Sequence, residues 1–171
     1  MAKIAARQHP VNAVTPEPGT RTPAGDAFSA LVVRLFRLNG LVAAEGDALA
    51  RPAGQTTARW QVLAAVEGGP ATVAQIARML GLARQSVQRV ADVLESAGLV
   101  RFEDNPRHRR ARLVGLTPRG RTALTTIQAA QRPWANELGA AIGERNLRQA
   151  NELLDRVLRQ LSERRERSSA D

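Results

Sequence analysis

Residues 72–117 read TVAQIARMLGLARQSVQRVADVLESAGLVRFEDNPRHRRARLVGLT, and this stretch decides the fold. On either side of Gly81, apolar residues recur at spacings of three and four, which is the pattern of two amphipathic helices. Strands are predicted at about 99–103 and 111–116, separated by turn-forming residues at 104–106. A helix pair followed by such a hairpin can place one helix in a major groove with a basic loop beside it.

Capping residues mark where the two helices begin and end. Thr72 and Gln75 match the capping box, in which each side chain satisfies the backbone N–H of the other residue. Gly81 suits the turn between the helices, because glycine adopts a left-handed conformation at little cost. The second helix is predicted from about Ala83 to Ala97, and Gly98 ends it.

The second helix leaves a set of polar side chains facing outward near its N-terminal end. Arginine can contact guanine or phosphate, glutamine can pair with adenine, and serine can contact either a base or a phosphate. An ordinary solvated helix face is the alternative, but the capped helix before it and the hairpin after it favour DNA. The predicted base-contacting residues are Arg84, Gln85, Ser86, Gln88 and Arg89.

The hairpin loop carries three arginines within four residues: Arg107, Arg109 and Arg110. Each could be a solvated surface charge, yet three neighbouring guanidinium groups repel one another. A narrow minor groove concentrates negative potential and would offset that repulsion. All three are therefore predicted to bind DNA, and Arg109 is the first choice for insertion into the groove.

Composition supports a polyanionic partner and argues against several other functions. The 171 residues carry a net charge of +9, and ten arginines against four acids between Arg78 and Arg121 supply +6 of it. The chain has no cysteine and only two histidines, so no metal site or cofactor is expected. Without a nucleophile and base constellation, paired carboxylates or a phosphate-binding loop, the chain is not expected to be an enzyme.

The N-terminal segment gives no sign of export or membrane insertion. Residues 1–23 are polar and rich in Pro and Thr, which predicts a disordered leader. Residues 1–11 lack a hydrophobic signal region. Because Arg34 and Arg37 interrupt the most apolar run, no membrane-spanning helix is expected. We therefore predict a cytoplasmic protein without a membrane partner.

The rest of the chain is predicted to be helical and to serve dimerisation. A first helix from Asp26 to about 49 carries one apolar stripe, and Pro133 is expected to kink or divide a long later helix. The last helix has an apolar seam that a lone helix cannot bury, which favours a second subunit. That seam is Leu147, Ala150, Leu154, Val157 and Leu161. The predicted organisation is a leader (1–23), a first dimerisation helix (24–55), a winged helix-turn-helix domain (56–117) and C-terminal dimerisation helices (118–171).

Three segments resemble the multiple antibiotic resistance regulator (MarR) family of winged-helix transcription factors. They are TTARWQVLAAV at 56–66, TVAQIARMLGLARQSVQRVADVLESAGLV at 72–100 and NPRHRRARLVGLTPRG at 105–120. With the helical flanks, the resemblance covers about residues 26–163. It implies a homodimer that binds a pseudo-palindromic operator and is released from DNA by a small organic ligand. It also implies Arg109 at the wing tip, with His108 where many members have an Asp.

The resemblance further implies a ligand pocket where the first, second and fifth helices meet. Its candidates here are Arg37, Leu41, Trp60, Leu63 and Trp134, and a packed junction is the alternative for the apolar ones. The predicted fold class is mainly α with a small β-hairpin wing, a winged helix-turn-helix plus a helical dimerisation region. The predicted function is a dimeric, sequence-specific transcription regulator, a repressor released by ligand, and the alternative is a sequence-tolerant architectural DNA-binding protein.

Overall fold

The structure is a computed structural model that describes residues 19–106, 108 and 110–168. Most of the predicted leader, residues 1–18, lies outside the described residues. The chain divides into two compact units, Met1–Val42 and Ala43–Asp171. The elements are α1 (Pro23–Ala50), a 3-10 turn (Arg51–Ala53), α2 (Thr57–Ala65), β1 (Ala71–Thr72), α3 (Val73–Leu80), α4 (Arg84–Ser96), β2 (Val100–Glu103), β3 (Leu113–Leu116), α5 (Pro118–Ile142) and α6 (Glu144–Arg167). The predicted fold class, mainly α with a small β wing, is confirmed.

The first unit consists of the N-terminal part of α1. This helix begins at Pro23 rather than at Asp26, and the Thr22 hydroxyl accepts a hydrogen bond from the Gly25 N–H at 3.0 Å. Large apolar side chains of this part are exposed, with Phe36 at 74% and Val33 at 68%. Large apolar side chains exposed together on one helix are typical of a surface that binds another protein or a membrane.

The length and composition of residues Pro23–Ala53 are sufficient for a membrane-spanning helix. The expectation that Arg34 and Arg37 exclude such a helix was therefore wrong, because two charges do not lower the average hydropathy enough. No residue of its most apolar window is buried within the chain. A helix that packs against another protein subunit has the same composition, so length and hydropathy are weak evidence for a membrane.

The second unit is built around the helix-turn-helix predicted from the sequence. The capping box of α3 is present in both directions, with the Thr72 hydroxyl accepting from Gln75 N at 3.2 Å and Gln75 Oε1 accepting from Thr72 N at 2.8 Å. Gly81 has φ +66° and ends α3, as the turn requires. These local interactions set the boundaries that orient α4.

The small sheet has the strand order β1-β3-β2 and is antiparallel throughout. β1, a two-residue strand in which Ala71 pairs with Val114, was not predicted from the sequence. The hairpin strands β2 and β3 pair as predicted, with Phe102 opposite Val114. Side chains from α2, α3, α4, the sheet and α5 form the core of the second unit: Val62, Leu63, Val66, Ile76, Ala77, Val87, Ala91, Leu94, Leu99, Val100, Val114, Leu116 and Leu124.

The C-terminal end of α1 lies against the start of α2 within the second unit. Asp47 Oδ1 accepts a hydrogen bond from Thr57 N at 2.6 Å, and the Thr57 hydroxyl donates to Ala43 O at 2.8 Å. A Cβ on Gly46 would lie 2.5 Å from the Thr57 Oγ1, so glycine permits this close approach. The close approach of α1 and α2 therefore depends on the side chains of Asp47 and Thr57 and on the absence of a side chain at Gly46.

Asp47→Asn should reduce the dependence of stability on acid pH. The hydrogen bond from Thr57 N holds the pKa of Asp47 below its ordinary value. A lowered carboxyl pKa gives stability that is present above the unfolded pKa of about 3.9 and lost as pH falls through the folded pKa. Urea unfolding at pH 7 and at pH 3 should show a smaller loss for the variant than for the wild type, and equal losses would contradict this role.

Pro133 does not divide the long helix as the sequence suggested. Helix α5 runs without interruption from Pro118 to Ile142, and the break comes at Gly143, which has φ +89°. A helix tolerates one missing N–H when the turns on both sides are intact, whereas a left-handed residue ends it. Helix α6 follows and has no buried residue.

Candidate nucleic-acid interface

Helix α4 exposes the polar face that the sequence predicted. Val87, Ala91 and Leu94 are 0% exposed and fix the helix to the core. The opposite side, here called the α4 outer face, consists of the exposed residues Arg84, Gln85, Ser86, Gln88 and Arg89. The structure therefore brings together all five predicted base-contacting side chains on one accessible surface.

The N-terminus of α4 differs from those of its neighbours. Helices α2, α3 and α5 each follow a threonine whose hydroxyl accepts a backbone N–H of the first turn. Helix α4 follows Ala83, which supplies no side-chain cap. No N-cap side chain therefore accepts a hydrogen bond from the first backbone N–H groups of α4. These N–H groups lie at the positive end of the helix dipole and can bind a phosphate oxygen.

An open groove of about 530 Å³ lies between α4 and the hairpin. Arg84, Gln85 and Gln88 line it from α4, and Arg110 and Arg112 line it from the hairpin. Donors from two elements therefore converge on one surface that is concave and solvent-accessible. Such a surface can contact the edge of a base pair and the adjacent phosphates together.

Two side chains that were not predicted from the sequence hold the hairpin in place at Phe102. β2 is an edge strand, and the free backbone groups of Phe102 are satisfied by Glu95 Oε1, which accepts its N–H at 3.3 Å, and by Arg112 Nη2, which donates to its carbonyl at 2.7 Å. The Arg112 guanidinium also lies 5.1 Å from the centroid of the Phe102 ring. The Glu95 contact holds the hairpin against α4, and the Arg112 contacts join the two sides of the hairpin.

The hairpin loop is closed by Asn105, which is only 9% exposed. Its Nδ2 donates to Ala111 O at 2.9 Å, and His108 N donates to Asn105 O at 3.2 Å. Of the three loop arginines, Arg110 is exposed beside the groove. Arg107 and Arg109 lie outside the described residues, so their DNA contacts remain predictions from the sequence.

A sequence model of the MarR family matches residues 53–111, the segment that contains the helix-turn-helix and most of the hairpin. The chain belongs to the MarR family. Members of this family are transcription regulators rather than enzymes.

Relatives of this MarR-family protein were found among both sequences and solved structures. An uncharacterized protein of Mycobacterium tuberculosis is 38% identical over 133 residues, which cover 78% of this chain and 93% of the relative. The M. tuberculosis transcriptional regulator MosR in complex with DNA superposes with a TM-score of 0.65 at 24% identity, covering 76% of this chain and 96% of that one. CouR from Rhodococcus jostii RHA1, solved with p-coumaroyl-CoA, superposes with a TM-score of 0.68 at 22% identity. The match covers 74% of this chain and 90% of CouR.

The residues predicted for a ligand pocket in this MarR-family protein lie in both units. Arg37 and Leu41 belong to the first unit and are exposed. In the second unit, Trp60 is half-buried against the core, Leu63 is fully buried within it and Trp134 is half-buried. The described residues contain no group of three or more His, Cys, Asp or Glu side chains that could hold a metal ion.

Proposed function

We propose that the protein is a homodimeric, sequence-specific repressor that binds a pseudo-palindromic operator in the cytoplasm and is released from it by a small organic ligand. The observation that carries the proposal is the α4 outer face, where arginine, glutamine and serine side chains are exposed together beside the hairpin. Neutralising phosphates requires only cations, whereas glutamine and serine supply the donors and acceptors that distinguish bases. This composition favours sequence-specific binding over the architectural alternative.

Exposed apolar surface supports a dimer. In α1, Val33 and Phe36 are more than two-thirds exposed, and in α6 the seam residues Leu154 and Val157 are half-buried while Leu161 is 50% exposed. A second copy of the chain is the occupant that we propose for these helices, since seam residues recur at the spacings of helix–helix packing. Two copies would present two α4 outer faces to one duplex, with half-sites one helical turn or a small multiple of it apart.

The family resemblance and one structural relative support the proposal that an organic ligand releases the protein from its operator. CouR was solved with p-coumaroyl-CoA, so this fold can accommodate an organic ligand. Trp60 and Trp134 keep part of their surfaces accessible, whereas Leu63 would have to leave the core to contact a ligand. Arg37, Leu41, Trp60, Leu63 and Trp134 remain the predicted contacts. A ligand that prefers one spacing of the two α4 helices would change operator affinity without touching the base-contacting residues.

Selection of bound DNA tests the proposal directly. The purified full-length chain is mixed with random-sequence duplexes at physiological salt, with an excess of unrelated DNA, and the retained fragments are sequenced. We expect an enriched motif with two-fold symmetry. Equal retention of all duplexes, with a steep salt dependence, would establish the architectural alternative. Absence of retention would contradict DNA binding by this chain.

Arg109→Ala should weaken binding to the selected operator by roughly tenfold to a hundredfold, because hydrogen bonds to charged groups contribute about 1.5–3 kcal/mol. The loss should be similar across operator variants, since a minor-groove or phosphate contact adds affinity with little base discrimination. The measurement is a titration at several salt concentrations, where the salt slope should fall by about one. Arg132→Ala, which removes an exposed arginine from α5, is the control. An unchanged affinity for Arg109→Ala would refute the predicted wing contact.

A further inference from the structure

We infer that Asp92 is a specificity-determining positioning residue, which holds the amide of Gln88 in the orientation that favours adenine over guanine. The inference rests on the proposed function, because it assigns base preference to the α4 outer face. Gln88 Nε2 donates to Asp92 Oδ1 at 2.7 Å, and the two residues are one helical turn apart on α4. Both are exposed and both line the groove between α4 and the hairpin.

The chemistry of the two groups fixes which end of the amide faces Asp92. An ionised carboxylate only accepts hydrogen bonds, so the amide nitrogen of Gln88 must face Asp92 and its carbonyl oxygen must face away. A carboxamide nitrogen carries two N–H groups, and the bond to Asp92 occupies one of them. The carbonyl oxygen and the second N–H of Gln88 remain for DNA.

This remaining pair of groups matches adenine. In the major groove adenine presents the N7 acceptor and the N6 donor, whereas guanine presents two acceptors, N7 and O6. An amide that is free to flip can turn its nitrogen toward guanine, but the bond to Asp92 opposes that flip. Against guanine, the fixed carbonyl oxygen of Gln88 would face an acceptor, and the carboxylate of Asp92 would add negative charge near the guanine oxygen.

Among the described residues, Asp92 is the side chain that hydrogen-bonds to Gln88. Glu95, the next acid along α4, binds the backbone N–H of Phe102 instead. The two acids of the groove therefore have different roles: Glu95 holds the hairpin, and Asp92 orients Gln88. Removing Asp92 should alter base preference while the hairpin contact stays in place.

The test uses the full-length chain and two operator duplexes that differ by one base pair, adenine or guanine, at the position where Gln88→Ala changes preference. We expect Asp92→Ala to reduce the preference for adenine by about threefold to tenfold, the range of a single hydrogen bond. Asp92→Asn should also lose preference, because its amide can either accept from or donate to Gln88 and so no longer fixes which end of the Gln88 amide faces DNA. Both variants should raise affinity for unrelated DNA by similar factors, since both remove a negative charge from the groove.

A double-mutant comparison separates positioning from an independent contact. Gln88→Ala/Asp92→Ala should show the same base preference as Gln88→Ala alone, because Asp92 acts through Gln88. Asp155→Ala removes an exposed acid from α6 outside the groove and should leave the preference unchanged. Full adenine preference in Asp92→Ala would overturn the inference while leaving the proposed function intact. A wild-type chain without any base preference would instead overturn the proposed function.

Discussion

Gly120→Ala should lower the free energy of unfolding by about 3 kcal/mol, the upper end of the usual cost of overpacking, because the new methyl group has no room. A Cβ at this position would lie 1.9 Å from the carbonyl oxygen of Leu99. Backbone atoms cannot move aside as the end of a flexible side chain can. The start of α5 would therefore have to separate from the segment that precedes β2.

That separation would break several interactions at once. The Leu99 carbonyl accepts from Thr117 N at 3.1 Å, and the Thr117 hydroxyl shares its one proton between Gly98 O at 2.8 Å and Leu99 O at 3.1 Å. The Thr117 oxygen also caps α5 by accepting from Gly120 N at 3.0 Å. A single methyl group at Gly120 thus disturbs the helix cap and the entry to the hairpin together.

Urea unfolding followed by circular dichroism measures the effect, and Gly139→Ala is the matched control. Gly139 lies on the same helix, and a Cβ there would meet nothing within 4 Å. Alanine is favoured over glycine in a helix by up to about 1 kcal/mol, so the control should be as stable as the wild type or slightly more stable. If the two variants unfold at the same urea concentration, the steric argument at Gly120 is wrong.

Leu154→Glu/Val157→Glu should convert the proposed dimer to a monomer and lower operator affinity by roughly a hundredfold, the loss expected when two linked sites bind independently. Both side chains lie on the seam of α6 and are half-buried in the isolated chain. Burying two carboxylates against a second copy would cost far more than the apolar contacts they replace. Because α6 has no buried residue, the single chain should still fold.

Light scattering and operator titration check this prediction. The control is Gln149→Glu/Arg156→Gln, which changes the net charge by the same two units at exposed positions of α6 away from the seam. The control should remain dimeric with nearly unchanged operator affinity. A monodisperse wild-type monomer would refute the proposed dimer. A dimeric Leu154→Glu/Val157→Glu variant with full affinity would show that the seam of α6 is not its interface.

The sequence predicted the elements whose signals are local. Thr72 and Gln75 are three residues apart and form the capping box that was expected, and Gly81 adopts the left-handed turn. The start of α5 shows a local signal of the same kind, because the Thr117 hydroxyl caps the helix and Pro118 is its first residue. The outward position of the α4 outer face followed from helical periodicity alone, because Val87, Ala91 and Leu94 define the buried side. Each of these signals arises from residues within about two helical turns of one another.

Local sequence patterns did not predict β1, the continuity of α5 or the contacts of Phe102. β1 has two residues, too few for a period, and it exists because β3 supplies its partner. Pro133 was expected to kink or divide the long helix, and it does not divide it, because one missing N–H does not end a helix whose neighbouring turns are intact. The contact of Glu95 with Phe102 and that of Arg112 with the same residue join separate elements, and no spacing in the sequence indicates them.

The sequence by itself thus determined where α3 and α4 begin and end and which face of α4 meets solvent. Only the tertiary structure decided how the hairpin is held against α4 and why Gly120 must be glycine. The physical reason is the separation in the sequence of the atoms that interact. Caps and periodicity are set by backbone groups within a few residues, whereas steric exclusion and hydrogen bonds between elements depend on which distant atoms the fold brings within a few ångströms.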